Sequence, residues 1–247
     1  MSLIITVHTN EGIVMSSDSR TTFNRQDFSP LPDGKGAIIT KLQGVHYSDT
    51  TYKTFLAPNN VGISTCGAAA IAGKPVTGYI EDFISHNISR DTKVAEVAEK
   101  MLLEFRKYNP IPDITFHIAG YERNDDAICQ KFYQVFAAKN EVVEMDVTSQ
   151  GASWSGESEI LARILSPYWV RVEGKDGTAR YKQQNPPAIS WNFFSLQDAV
   201  DFSMYAMNTT IETMRFQVRL KTVGRPIDIL AIKPTGAFWI QRKELHA

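Results

Sequence analysis

The pattern of apolar and polar residues at the start of the chain predicts a β-hairpin. Leu3–His8 and Ile13–Ser17 are mostly apolar, and the sequence Thr9-Asn10-Glu11-Gly12 between them is typical of a hairpin turn. In each cross-strand pair the two residue numbers sum to 21 if the two-residue turn is Asn10-Glu11, and to 23 if it is Glu11-Gly12. Either register places the group Asp18-Ser19-Arg20-Thr21 beside Ser2.

After this hairpin, the spacing of apolar residues is typical of strands in some segments and of helices in others. Helical spacing predicts helices over Pro75–Ile88, Thr92–Tyr108, Glu157–Leu165 and Ser195–Gln217. Ser195 with Asp198 three residues later is typical of a capping box at the start of the last helix. The other predicted strands are Thr54–Ala57, Val61–Thr65, Ile114–Ala119, Lys131–Ala137, Val142–Val147, Ile227–Lys233 and Ala237–Gln241.

The order of these elements predicts an α+β fold. Strands and helices come in blocks rather than in strict alternation, and there are enough strands for two packed sheets with helices outside. We expect residues 1–247 to form one domain, because a chain of 247 residues can bury a full-size core. Two segments are predicted to be insertions: residues 21–52 are polar, as a loop or a short hairpin, and residues 166–194 are irregular, basic and aromatic.

Composition and charge exclude several classes of partner. The 26 Lys and Arg residues nearly balance the 27 Asp and Glu residues, so no electrostatic footprint for nucleic acid or for an anionic membrane is present. The least polar stretch, from Val61 to Gly73, has 13 residues and is too short to cross a bilayer. We therefore expect neither nucleic acid nor a membrane as a partner.

Cysteine and histidine usage points to a cytoplasmic protein without a metal. The chain has 2 cysteines, Cys66 and Cys129, and no CxxC spacing, which argues against a disulfide framework and favours a reducing compartment. No secretory signal pattern is evident at the start of the sequence. The 5 histidines show no ligand spacing, and we expect no metal and no other cofactor.

Ser2 carries the candidate chemistry. A serine hydroxyl attacks a carbonyl when a base takes its proton, and the α-amine that removal of Met1 would expose can be that base, since its unperturbed pKa is about 7.7–8.0. A neighbouring lysine would lower the pKa of the amine, and an aspartate would hold the lysine in place. A terminal hairpin without chemistry is the alternative, and Thr6 is a weaker candidate nucleophile.

At these positions the sequence resembles the proteasome-type N-terminal nucleophile hydrolases, which are the proteasome β-subunits and their bacterial proteasome-like relatives. The resemblance implies a four-layer αββα sandwich, in which two stacked antiparallel sheets are flanked by helices, and it implies hydrolysis of an amide bond. The residues that carry it are Gly12-Ile13-Val14, Asp18-Ser19-Arg20, Thr22, Lys53, Cys66-Gly67, Ile118–Glu122, Gly224–Ile229 and Lys233–Gly236.

The resemblance also implies roles for particular residues. Ser2 would be the nucleophile, and Asp18 with Lys53 would form a charge pair. The N–H of Gly67 would bind the oxyanion.

Ser155 would match a Gly-Ser-Gly element of the family, although an alignment on Gly151 competes with it. Thr21, Thr65 and Ala69 would line the substrate cleft and its first specificity pocket. A small Ala69 and an uncharged Thr65 would suit an apolar or modest side chain. The substrate would be a peptide or a small amide, and a homo-oligomer, either a ring or a dimer, is implied.

The sequence departs from the family in the segment between Arg20 and Lys53, which is longer than in typical members, and in residues that bear on the chemistry. Its candidate nucleophile is serine rather than threonine. The family's Arg-Asp-x-x-Ser-Gly-Gly element is replaced by Arg219–Gly224, which contains no aspartate. Two other functions therefore stay open: an inactive proteasome-like scaffold or binding subunit, and a hydrolase of the same fold that acts on a small amide.

Overall fold

The computed structural model describes residues 2–31, 37–124, 127–174 and 178–244. Met1 lies outside the described residues, and so do Asp125 and Asp126, where the sequence predicts a polar turn between two strands. The strands are β1 Leu3–Thr9, β2 Gly12–Asp18, β3 Thr21–Pro30, β4 Ala37–Ser48, β5 Thr54–Leu56, β6 Gly62–Gly67, β7 Ala70–Ile71, β8 Lys74–Pro75, β9 Ile114–Asn124, β10 Ala127–Phe136, β11 Glu141–Glu144, β12 Gly151–Gly156, β13 Tyr168–Glu173, β14 Ala179–Gln184, β15 Ile227–Lys233 and β16 Gly236–Gln241. The α-helices are α1 Val76–Asn87, α2 Val94–Phe105, α3 Glu159–Leu165 and α4 Leu196–Phe216.

Two antiparallel sheets form the centre of the fold. The first is a 5-stranded sheet in the order β12-β1-β2-β15-β16, and the second is a 5-stranded sheet in the order β11-β10-β9-β6-β5. Their facing sides enclose a buried apolar layer that includes Ile13, Met15, Phe132 and Leu230. Because side chains alternate along a strand, these residues point between the two sheets, and the residues next to them in sequence point to the outer faces.

Helices cover both outer faces. The outer face of the first sheet presents Leu3, Ile5 and Val7 to α3 and α4, and the outer face of the second sheet packs under α1 and α2. The layers therefore run helix, sheet, sheet, helix, which confirms the αββα prediction. The capping box predicted for α4 is confirmed as well: Asp198 N–H donates to Ser195 Oγ at 3.2 Å, and Ser195 N–H donates to Asp198 Oδ2 at 2.8 Å.

Two segments differ from the prediction. Strand β12 was not predicted, because its small and polar residues lack the apolar alternation of a strand; it pairs with β1 along its whole length. Residues 166–194 were predicted to be irregular, which is wrong in part, because β13 and β14 form a hairpin whose first strand is exposed on both faces. A strand that buries neither face has no period-2 signal to detect. Strands β3 and β4 pair with each other, so the described part of the segment 21–52 supports a hairpin rather than a loop.

Within the described residues, the helices are all too short or too polar to cross a membrane.

Candidate active site

The register of the first hairpin places Ser2 next to Asp18. Strand β1 pairs with β2 from Ile4 opposite Ser17 to Thr9 opposite Gly12, so partner numbers sum to 21 and the turn is Asn10-Glu11. The next residue back continues this register, since Leu3 N–H donates to Asp18 Oδ1 at 3.0 Å. Ser2 directly precedes this contact and is 7% exposed.

Asp18 is a fully buried carboxylate with four donors. Its Oδ1 accepts from Leu3 N–H at 3.0 Å and from Lys53 Nζ at 2.8 Å. Its Oδ2 accepts from the backbone N–H groups of Arg20 at 2.9 Å and Gly224 at 3.1 Å. Because three of the four donors belong to the backbone, the carboxylate is fixed in position and in turn fixes the lysine ammonium.

Lys53 is buried immediately before β5. Its Nζ also donates to the carbonyl of Arg20, so the ammonium bridges the β2–β3 turn. Burial lowers the pKa of Lys53, and the charge of Asp18 and the hydrogen bond to it oppose that effect. A lysine in this setting can release its proton more readily than a surface lysine and can stabilise a negative charge nearby.

Gly67 ends β6 in a conformation that favours glycine. Its φ is +110°, and a Cβ there would lie 2.3 Å from the carbonyl oxygen of Asp113. The next N–H, that of Ala68, donates to the same carbonyl at 2.8 Å. The turn after β6 can therefore pass this close to Asp113 because residue 67 has no side chain.

One cleft brings most of the predicted site residues together. It has a volume of about 290 Å³ and lies between the start of β3 and the turn after β6. The predicted site residues that line it are Ser2, Thr21, Lys53, Thr65, Gly67 and Ala69. Asp18 lies behind Lys53, and Thr51, Tyr52 and Cys66 also contribute to the walls. The cleft can thus hold a carbonyl substrate beside a hydroxyl, a buried ammonium and a glycine turn.

Ser155 contacts a buried histidine rather than lining this cleft. Its Oγ is 2.8 Å from His117 Nε2, and Thr6 Oγ1 is 2.9 Å from His117 Nδ1. Burial lowers the pKa of His117 to about 3, so the imidazole is neutral at physiological pH. This network joins the two sheets and engages the hydroxyl of Thr6 away from the cleft. A catalytic role for Ser155 stays a prediction.

Glu157 is a residue of the site that its local sequence does not indicate. Helical spacing predicts that it begins a helix, whereas α3 begins at Glu159. Its N–H donates to the carbonyl of Ser2 at 2.7 Å. Its buried carboxylate accepts from Arg219 Nη2 at 2.6 Å and from Thr222 Oγ1 at 3.2 Å. Glu157 thus connects the segment Arg219–Gly224 to Ser2, the candidate nucleophile.

Replacing Glu157 with glutamine is expected to destabilise the fold by about 1–2 kcal/mol, because Arg219 loses a charged partner at a buried position. Urea unfolding followed by circular dichroism measures this. Glu159→Gln is the matched control, since Glu159 lies 3.0 Å from Arg219 Nη1 but is about half exposed; it should change the stability less. Equal losses in the two variants would contradict the role given to Glu157.

Cys66 is a less suitable nucleophile than Ser2. Burial raises the pKa of its thiol to about 12, so the thiol stays protonated at neutral pH and is unreactive as a nucleophile. Cys66 and Cys129 are both free thiols. In the described part of the chain, no group of three or more His, Cys, Asp or Glu side chains could hold a metal ion.

Comparisons with known proteins give matches among solved structures. A scan against models of protein families and a search of curated proteins both find no match. A mutant of Anbu from Hyphomicrobium sp. strain MC1 superposes with a TM-score of 0.59 and 14% sequence identity, over 98% of this chain and 86% of that one. Anbu from Yersinia bercovieri, an ancestral β-subunit, gives a TM-score of 0.57 at 14% identity, over 96% and 86% of the two chains.

At this level of identity the similarity concerns the fold, and it extends over nearly the whole of the chain. The chain therefore shares the fold of Anbu, which is the αββα sandwich implied by the resemblance to proteasome-like proteins.

Proposed function

We propose that the protein is an N-terminal nucleophile hydrolase that cleaves an amide bond, most suitably in a peptide, with Ser2 as the nucleophile once Met1 is removed. The observation that carries the proposal is the single cleft lined by Ser2, Lys53 and Gly67, with Asp18 bound to the lysine at 2.8 Å. Hydroxyl, buried ammonium and glycine turn come from three separate segments, and the fold brings them to one place.

The proposed reaction proceeds through an acyl-enzyme. The Ser2 α-amine takes the proton of Ser2 Oγ as this oxygen attacks the substrate carbonyl, and Lys53 stabilises the developing negative charge on Oγ. The N–H of Gly67 stabilises the oxyanion of the tetrahedral intermediate. The α-amine then gives its proton to the leaving amine as the C–N bond breaks. Water attacks the resulting ester by the same route, which releases the acid and restores the Ser2 hydroxyl.

The walls of the cleft suit a side chain without charge. Thr21, Thr65 and Ala69 contribute no ionised group to it, so a substrate side chain that enters beside them meets methyl and hydroxyl groups. We propose that the preferred residue on the acyl side of the scissile bond is small or apolar. A charged side chain would lose its hydration there without gaining a partner.

Intact-mass spectrometry tests the proposal. The protein is treated with an electrophile that acylates serine or threonine nucleophiles, such as a β-lactone or a peptide epoxyketone. We expect loss of Met1, one covalent adduct, and its location on Ser2 by peptide mapping. Ser2→Ala should abolish the adduct, Ser2→Thr should retain it, and Ser85→Ala, at an exposed position of α1, should label like the parent protein.

Two outcomes would favour the other functions. A processed chain with a free Ser2 that labels with none of these reagents would contradict hydrolysis and support a non-catalytic subunit. A labelled chain that cleaves small amides but no peptide library would identify an amidohydrolase of the same fold.

We also propose that the protein assembles with copies of itself, as a dimer or a ring. Large apolar side chains are exposed on the hairpin β13–β14 and around the end of α4, where Phe216 is 80% exposed. Exposed apolar side chains that lie close together in the chain favour protein–protein contacts. Trp169, Tyr181 and Val218 belong to the same two surfaces.

A further inference from the structure

A second buried lysine–aspartate pair is formed by the segment that follows β16. We call this segment, Arg242–Glu244, the C-terminal strap. Lys243 Nζ donates to Asp228 Oδ2, and Lys243 N–H donates to Asp228 Oδ1 at 2.8 Å. The two side chains are 6% and 0% exposed. A long charged side chain in a strap after the last strand would ordinarily remain in solvent, so its burial calls for an explanation.

The second pair lies next to the first. In the sheet, Asp228 is the cross-strand partner of Ser17, the residue before Asp18. Ser17 Oγ accepts from Thr54 Oγ1 at 2.8 Å, and Thr54 is the residue after Lys53. The two aspartates therefore occupy diagonal positions on paired strands, since Asp18 is the partner of Ile227 and Asp228 is the partner of Ser17.

Tyr52 links the strap to the cleft. Its hydroxyl donates to the carbonyl of Lys243 at 3.1 Å, and Lys243 Nζ lies 4.5 Å from the centre of its ring. The guanidinium of Arg242 lies 5.2 Å from the same ring and 4.9 Å from the ring of Trp239. Tyr52 lines the cleft and directly precedes Lys53, so the strap holds the backbone from which the catalytic lysine projects.

Ionisable groups from several elements surround the two lysines. Asp18, Asp49 and the thiol of Cys66 act on Lys53, whereas Asp228, Asp18 and Lys53 act on Lys243. Burial lowers the pKa of Lys243, and its hydrogen bond to Asp228 opposes this effect. Because solvent is largely excluded from both ammonium groups, their repulsion is screened much less than that of surface charges.

We propose that Lys243 and Asp228 are positioning residues of the active site. They adjust the protonation of Lys53 and of the Ser2 amine, although neither belongs to the Lys53–Asp18 ion pair. The ammonium of Lys243 disfavours further positive charge on Lys53 and on the Ser2 amine, and the carboxylate of Asp228 limits that effect. The effect on Ser2 acylation rests on the proposed function. The effect on the protonation of Lys53 does not depend on it.

The test compares variants that change the charge in opposite directions. Lys243→Met removes the ammonium and leaves Asp228, so protons bind Lys53 and the amine more tightly. Below the pKa of Lys243, Asp228→Asn leaves an ammonium without its counter-charge, so protons bind Lys53 and the Ser2 amine less tightly. We expect the pH midpoint of Ser2 acylation to rise by about 0.5 unit in the first variant and to fall by a similar amount in the second. Lys243→Arg should restore the parent midpoint.

A merely structural strap would give another result. It would lower the acylation rate or the stability in both variants and leave both midpoints unchanged, and that outcome would overturn the proposal. Arg242→Gln is the matched control, because it removes a cation from the Tyr52 ring without touching Asp228; its midpoint should equal that of the parent protein.

The double variant Lys243→Met with Asp228→Asn leaves no net buried charge and keeps both shapes. It is the control for loss of the ion pair itself, and its midpoint should equal that of the parent protein.

A second readout separates this inference from the proposed function. The ¹³Cε resonance of Lys53, assigned with Lys53→Met, reports the protonation of the lysine whether or not Ser2 reacts. Opposite shifts of this titration in Lys243→Met and Asp228→Asn would support the inference even in a protein that labels with no electrophile. A titration that is the same in both variants and in the parent protein would refute it even if Ser2 is acylated normally.

Discussion

Replacing Lys53 with methionine is expected to lower the rate of Ser2 acylation by at least ~10³-fold, the scale of a lost proton-transfer or charge-stabilising group. The variant keeps the aliphatic stem but loses the ammonium, which lies 2.8 Å from Asp18 Oδ1 and borders the cleft. Without this charge the Ser2 alkoxide has no cation beside it, and the Ser2 amine holds its proton more tightly. Time-resolved intact-mass spectrometry with a serine-reactive electrophile gives the rate.

Two comparisons show whether the effect is chemical. Lys139→Met changes an exposed lysine and should label at the parent rate. Asp18→Asn should also react slowly, because the amide no longer balances the charge of Lys53. Asp18 keeps three backbone donors in Lys53→Met, so the variant should fold. A folded Lys53→Met protein that labels within a factor of ten of the parent would rule out the role assigned to the lysine.

Gly156→Ala is expected to destabilise the protein by about 3 kcal/mol or more and to displace Ser2. A Cβ at residue 156 would lie 1.8 Å from the carbonyl oxygen of Ser2, and the φ of Gly156 is +93°. Neither atom belongs to a flexible side chain, so the backbone itself has to move. The movement would break the hydrogen bond from Glu157 N–H to Ser2, and we therefore expect acylation to be lost as well. Urea unfolding and adduct formation measure the two effects.

Gly236→Ala separates steric overlap from backbone strain. Gly236 also has a positive φ, +139°, but a Cβ there would meet nothing within 4 Å. This variant should show the strain of the conformation alone, about 1 kcal/mol, and should label normally. If the two alanine variants were equally stable and equally reactive, the close approach of β12 to Ser2 would not matter for the site.

The sequence was most informative where contacts are local. The first hairpin was limited to two registers because its turn residues lie between the strands they connect, and one of these registers is observed. The start of α4 was predicted because the capping box involves residues three positions apart. Lys53 and Gly67 were identified through a resemblance in spacing, and the fold that this resemblance implied is the observed one.

The sequence was least informative where a segment depends on a distant one. Strand β12 has little strand propensity of its own and forms because β1 offers it a partner along six positions. Glu157 and Lys243 carry no local signal. Glu157 binds Ser2, which lies 155 positions earlier in the chain, and Lys243 binds Asp228, which lies 15 positions earlier. Ser155 was placed at the site by its motif, whereas its hydroxyl contacts His117.

By itself, the sequence determined the local elements, the register choices of the first hairpin and the presence of a hydroxyl, a lysine and a glycine at suitable spacings. Only the tertiary structure decided which side chains share the cleft, which buried charges are paired and what holds Ser2 in place. The physical reason is that hydrophobic periodicity and turn chemistry act between neighbours in the chain. Burial and ion pairing depend on groups that become neighbours only when the two sheets pack together.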